Sequence, residues 1–170
     1  MTKLHSILEE TIEAWEDARQ GVVMEVENIP ANKFAFRAAE GMRTASELVS
    51  HIMDVALMMT GELTREDTNL HRAPWPQLLA MHNKRIQGLT TKKELLGALR
   101  STLRDGVKAF REAGELHMLQ RIVRFDGQLG TRLAWFNHGI AHENYHGGQL
   151  AFLQRFMGIT PALTKRIMGA

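Results

Sequence analysis

Apolar side chains recur along this chain at intervals of three and four, and four stretches keep that spacing long enough to predict amphipathic helices. The first runs from about Leu4 to Val26, with Leu4, Leu8, Thr11, Trp15, Ala18 and Val22 on one stripe and Pro30 barring continuation. The second opens at TASE, where the Thr44 hydroxyl can cap the helix and Glu47 can close a capping box. Leu48, His51, Ile52, Val55 and Met59 then share a face, and Gly61 supplies a stop. The third repeats the start signal at TKKE, Thr91 to Glu94, and continues through Leu95, Leu99, Leu103, Val107 and Phe110 to Gly114. The fourth, about Gln128 to Met157, carries Leu133, Phe136, Ile140, Leu150 and Leu153 before Gly158 and Pro161. Gly127 and Gly130 weaken its start. No stretch sustains the alternation of a strand.

About thirty residues between the second and third helices are long for a structureless loop, so a short helix is expected near Pro76 to Lys84. The pattern predicts an all-α protein. Residues 1–170 are expected to form a single domain, a four-helix bundle with long connections and one or two short extra helices.

Composition mainly removes possibilities. With no cysteine, disulfides, thiolate ligands and a cysteine nucleophile are excluded. Lys and Arg total 21 against 19 Asp and Glu, interleaved instead of gathered in a stripe, which points away from nucleic acid. The longest mostly apolar run, IMDVALMM at 52–59, falls far short of the roughly 20 residues of a membrane span. The N-terminal MTKLHSILEETIEAWEDARQ has acidic residues where a secretory signal would be apolar, so a cytoplasmic protein is expected.

Candidate chemistry gathers in HENYH, His142 to His146. Alone, those letters match the H-E-x-x-H helix of zinc proteases. On a helix, positions four apart lie one above the other, so His142 and His146 can face one ion, with Glu143 about 100° off that line. A protease completes the site from downstream, yet the remainder, GGQLAFLQRFMGITPALTKRIMGA, has no Asp, Glu or His. The longer glycine-spaced form also fails, because Gln149 and Phe152 occupy its glycine and histidine positions. Nor do strand signals precede the helix to form a substrate-binding edge.

A third ligand can come from upstream. His51 shares its face with Leu48, Ile52 and Val55, so the pattern turns an ionisable group inward, where it needs a partner. A single histidine on such a face is more often a core or capping residue; a His pair on a facing helix shifts that balance toward a metal site. His138 extends the ladder, and because His138 and His146 are roughly 12 Å apart along the axis, only adjacent members can share an ion. The 142/146 pair is favoured over 138/142, since Gln149 lies one turn past His146 as a polar partner and Gly147 and Gly148 open space beside it. His5, His71, His82 and His117 read as surface or local residues, and Trp75 as a pocket mouth or a packing anchor.

These residues resemble the DinB/YfiT-like family of metal-binding four-helix bundles over nearly the whole length. NIPANKFAFRAAEGMRTASELVSHI is similar to that family's approach to its second helix, and HGIAHENYHGGQLAFLQRFMGITP to its last long helix. The resemblance implies a metal triad of His51, His142 and His146. One position departs from it: Gly147 stands where many relatives carry Arg, which bears on the substrate more than on the metal.

Three neutral imidazoles leave at least one coordination position free on a divalent transition metal, zinc or nickel first. The expected function is therefore a metal-dependent transferase or hydrolase acting on a small molecule, with low-molecular-weight thiols among the candidates through the family resemblance. The alternative is a non-enzymatic metal-binding or stress-related bundle. A DNA-associated damage-response role is more remote, for want of a basic recognition helix. No catalytic residue is assigned; Glu143 is read as orienting a histidine ahead of accepting a proton, and Tyr145 as packing. Phe136, Phe152 and Phe156 around the fourth helix, with the family resemblance, suggest a homodimer.

Overall fold

The computed structural model describes residues 6–169, so Leu4 at the expected start of the first helix, and His5, lie outside the described residues. In chain order come α1 (Ile7–Asn28), α2 (Ala45–Leu63), α3 (Trp75–His82), α4 (Lys92–Ala113) and α5 (Glu115–Met118). A hairpin of β1 (Arg121–Val123) and β2 (Leu129–Thr131) follows, then α6 (Arg132–Phe156) and α7 (Ala162–Met168). The four long helices start where side-chain oxygens can satisfy their free N–H groups. Ser6 and Thr131 accept from Glu9 and Ala134, while Thr44 with Glu47 and Thr91 with Glu94 form complete capping boxes.

The architecture is an all-α four-helix bundle. α1 and α2 each pack against both α4 and α6, which puts α1 and α2 at opposite corners. Between them the apolar core falls into two clusters. One holds Trp15, Met59, Phe110 and Phe136; the other holds Val26, Ile52, Leu99 and Leu153. The level between them is polar, and the functional candidates sit there. Gly106 lets α4 approach closely, because a Cβ at that position would lie 2.5 Å from the Trp15 ring. Among the described residues no helix is long and apolar enough to cross a membrane.

Several expectations need correction. Gly61 does not stop α2, which runs on to Leu63; its missing side chain instead makes room for His82, whose Nδ1 would stand 2.2 Å from a Cβ there. Gln128 to Thr131 are not the first turn of α6. They belong to the hairpin, where Gly127 takes a positive φ of 77° and Gly130 pairs with Ile122. Strands of three residues are too short to show alternation, which is why the expectation of no strand before the last helix fails.

Beside the four long helices the described residues hold three short α-helices, α3, α5 and α7, and two single turns of 3-10 helix at Ala31–Lys33 and Lys84–Ile86. The last, α7, follows Pro161 because the buried Glu25 carboxylate accepts the Ala162 and Leu163 N–H groups at 2.9 and 3.0 Å. Phe136 is a core residue, 2% exposed, so it cannot serve a surface contact as Phe152 and Phe156 can.

Candidate metal centre

At the polar level of the bundle, α2 presents His51 and α6 presents His142 and His146 from successive turns. The nitrogen donors of these three rings all lie within 4.8 Å of one another. Ring centroids are 4.9 Å apart for His51 and His142, 4.7 Å for His51 and His146, and 4.3 Å for the α6 pair. His51 and His142 meet Nε2 to Nε2 at 3.1 Å, so their lone-pair directions converge. Glu143 contributes nothing to this group, and among the described residues no carboxylate joins it.

The donor set fits a divalent transition metal. Burial, with lesser contributions from Arg43 and His146, lowers the His51 pKa to about 4. His142 is lowered to about 3 by burial, then by His146, His51 and Arg43. His146 is lowered by burial and Arg43, against a hydrogen bond to Gln149 that raises it. All three are therefore neutral near pH 7, the form that donates a lone pair. Among the described residues the buried Nδ1 of His142 has no hydrogen-bond partner, and its Nε2 has only the other imidazole. Gln149 Oε1 sits 2.7 Å from His146 Nδ1, as the spacing predicts; accepting that N–H fixes the tautomer and leaves Nε2 as the donor.

His138 is exposed and turned to Trp135, with ring centroids 4.4 Å apart, so the structure leaves it out of the group. Glu143 is a correction. It orients no histidine, because its carboxylate is buried about 100° round α6 from His142 and taken by α1. Arg19 Nε and Nη2 reach its two oxygens at 2.7 and 2.6 Å, and Trp15 Nε1 donates at 2.6 Å. Tyr145 is 66% exposed with its ring nearly perpendicular to that of His146, so it stands at the rim and packs into no core. Gly147 and Gly148 face open space or an ordinary contact with Val22, so no tight approach requires them.

Three further histidines tie connecting segments down, as expected of local residues. His71 meets the Phe125 carbonyl, His82 the buried Glu62 and His117 the Leu63 carbonyl. Trp75 lines a surface depression with Phe125. Two residues near the site escaped the sequence reading. Arg19 had a signal, since it falls on the buried stripe four residues after Trp15, where a cation needs a buried acid. Arg43, in the loop before α2, had none.

The sequence profile of the DinB family matches residues 1–168. The chain belongs to the DinB family. Among curated proteins none matches it. Among solved structures it resembles YfiT from Bacillus subtilis, described as a probable metal-dependent hydrolase with an unusual four-helix bundle topology. Identity there is 15%, the TM-score 0.71, and 94% of each chain is covered. It also resembles the DinB-like protein YjoA of Bacillus subtilis, at 18% identity and a TM-score of 0.65, over 89% of this chain and 93% of that one. A mycothiol-dependent maleylpyruvate isomerase shares 18% identity with a TM-score of 0.65; 88% of this chain aligns to 63% of that longer one. Likeness at this level of identity establishes the shared fold.

A group of neutral imidazoles drawn partly out of water carries a pH signature. The folded His51 and His142 bind fewer protons than unfolded ones, whose ordinary pKa is 6.5. Their contribution to stability is therefore complete above pH 6.5 and is lost as pH falls toward about 4 and about 3. The metal-free protein is expected to lose melting temperature between pH 7 and 5, and a His51→Gln, His142→Gln variant to lose less. Parallel thermal melts at the two pH values measure it; equal slopes would refute the assignment.

Proposed function

We propose that this protein is a metal-dependent enzyme of small-molecule chemistry. In this reading His51, His142 and His146 hold one divalent transition metal, zinc or nickel, and the whole chain serves as one cytoplasmic domain. The single observation that carries it is the convergence of three imidazoles within 4.8 Å with no acid among them. Bound there, such an ion leaves a position for water or a thiol and lowers its pKa, supplying a nucleophile at neutral pH.

The chain's own residues prepare the rest. Burial keeps the imidazoles unprotonated, and Gln149 aims His146. His51 and His142 are half-buried, and the exposed Tyr145 stands beside His146. Glu143, held by Arg19 and Trp15, is unavailable as the general base a peptidase would need. A transferase, or a hydrolase of non-peptide substrates, is therefore favoured over a peptidase, and the mycothiol-dependent neighbour supports testing thiols first. A homodimer belongs to the same reading, through Phe152 and Phe156, each 55% exposed with ring centroids 5.0 Å apart.

The test compares metal-loaded and chelator-stripped protein in transfer of several low-molecular-weight thiols to electrophiles and in ester hydrolysis, with the mass in solution from light scattering. Turnover that disappears on stripping and returns with one equivalent of metal is the expected result. Metal that stabilises the fold while no thiol, ester or water reaches it would favour the non-enzymatic bundle, and a single-chain mass would remove the dimer.

A further inference from the structure

Across the outside of α6 the charges that coat the other long helices are missing. α1 turns Glu10, Glu13, Glu16 and Asp17 to solvent, and α4 turns out Lys93, Arg100, Arg104, Lys108 and Arg111. Along all 25 residues of α6, Arg155 is the one exposed side chain with a permanent charge. What faces outward instead is small or aromatic, and Tyr145, Phe152 and Phe156 each stand more than half exposed. Aromatic rings gathered on an uncharged face mark a contact surface, since a solvated helix face is polar.

The order of sizes along that face says what it meets. Exposed positions recur at intervals of four and three, the seam of a helix pair. His138, Tyr145 and Phe152 are its large members, and Ala134, Ala141 and Gly148 alternate with them. Gly148 serves no packing within the chain, because a Cβ there would meet nothing within 4 Å; yet a glycine inside a helix costs about 1 kcal/mol against alanine. A second α6 laid parallel would set ring on ring and small on small. Laid antiparallel, it sets Tyr145 against Gly148 and Phe152 against Ala141, each contact occurring twice by symmetry. Arg155 then falls opposite His138 and not opposite its own copy, so no like charges meet.

We propose that the outer face of α6 docks a second copy of this chain, the two helices running antiparallel about a two-fold axis beside His146 and Gly147, with Tyr145 and Phe152 of each copy seated on Gly148 and Ala141 of the other. This rests on the homodimer reading above, not on the metal, and adds to it the surface and its geometry. The contact also touches the candidate metal centre. Tyr145 stands beside His146 with ring centroids 5.1 Å apart, so burying Tyr145 fixes a wall of the imidazole group.

The chain has no cysteine, so introduced thiols report proximity without background. Ala141→Cys and Phe152→Cys are made singly, and also co-expressed as differently tagged full chains, then oxidised. The antiparallel seam brings position 141 of one copy against position 152 of the other, within the roughly 7 Å between Cα atoms that a disulfide spans. Like positions lie roughly 16 Å apart along the axis. Cross-linked dimer is expected from the co-expressed pair and from neither single variant. Phe152→Asp, exposed in the single chain and therefore able to fold, is expected to halve the light-scattering mass with its far-UV circular dichroism unchanged. Lys93→Asp, on the outside of α4, should leave the mass at two chains. A dimeric parent whose single cysteine variants cross-link to themselves, or whose Phe152→Asp variant stays dimeric, overturns this surface and leaves the homodimer standing. A single-chain mass for the parent overturns both.

Discussion

His142→Ala, purified without chelator, is expected to retain less than about a tenth of the metal bound by the parent protein, while His138→Ala retains nearly all of it. His142 is the member of the group whose Nε2 meets another imidazole directly, at 3.1 Å, and whose ring lies 4.3 Å from His146. Removing it leaves two donors, too few for a closed or catalytic transition-metal site. His138, one turn earlier on α6, is exposed and occupied with Trp135, so its loss reaches no donor. Metal analysis of both variants beside His51→Ala decides the matter. If His138→Ala alone empties the site, the assignment of the ladder is wrong.

The second large effect is on stability. Glu143→Ala is expected to cost about 3–5 kcal/mol, because it strands a guanidinium buried to 1% exposure and an indole N–H in the middle of the bundle. The arrangement spans three helices: Arg19 on α1 also donates to the Leu99 carbonyl and Thr102 Oγ1 on α4, at 2.8 and 2.9 Å. Glu143→Gln keeps part of the hydrogen bonding and should lose less, and an Arg19→Met, Glu143→Leu double variant should recover most of the stability. Urea unfolding of the set gives the coupling between the two positions. Metal content in Glu143→Gln should be unchanged. Loss of metal-supported turnover there, with stability intact, would return this glutamate to a catalytic role.

Much of the bundle is readable in advance because its signals are short-ranged. Capping boxes at Thr44 and Thr91 act within three residues, and the apolar stripes of α1, α2 and α4 repeat within one turn. The same holds for two of the three clustered histidines, since the spacing of four between His142 and His146 means one face wherever a helix forms. Gln149 beside His146 follows from the same local rule. Reading went wrong where geometry is set by partners distant in sequence. Gly61 looks like a stop until His82 is seen packed against it, and Gly127 and Gly130 look like helix weaknesses until β1 pairs with β2. Pro161 ends one helix and begins another only because Glu25 waits at the end of α1.

HENYH shows the division most clearly. By itself the sequence determined that two histidines share a helix face, that no downstream acid completes a protease, and that His51 turns inward on α2. Hydrophobic periodicity and capping decide those points over one to four residues, so no knowledge of packing is needed. Only the tertiary structure decided which ladder members meet His51, from 91 residues away, and where the glutamate between them goes. A helix offers each side chain a direction but not a partner. Glu143 belongs to the core because α1 packs against α6 and delivers Arg19 from 124 residues away, and a buried carboxylate is stable only where such a cation meets it.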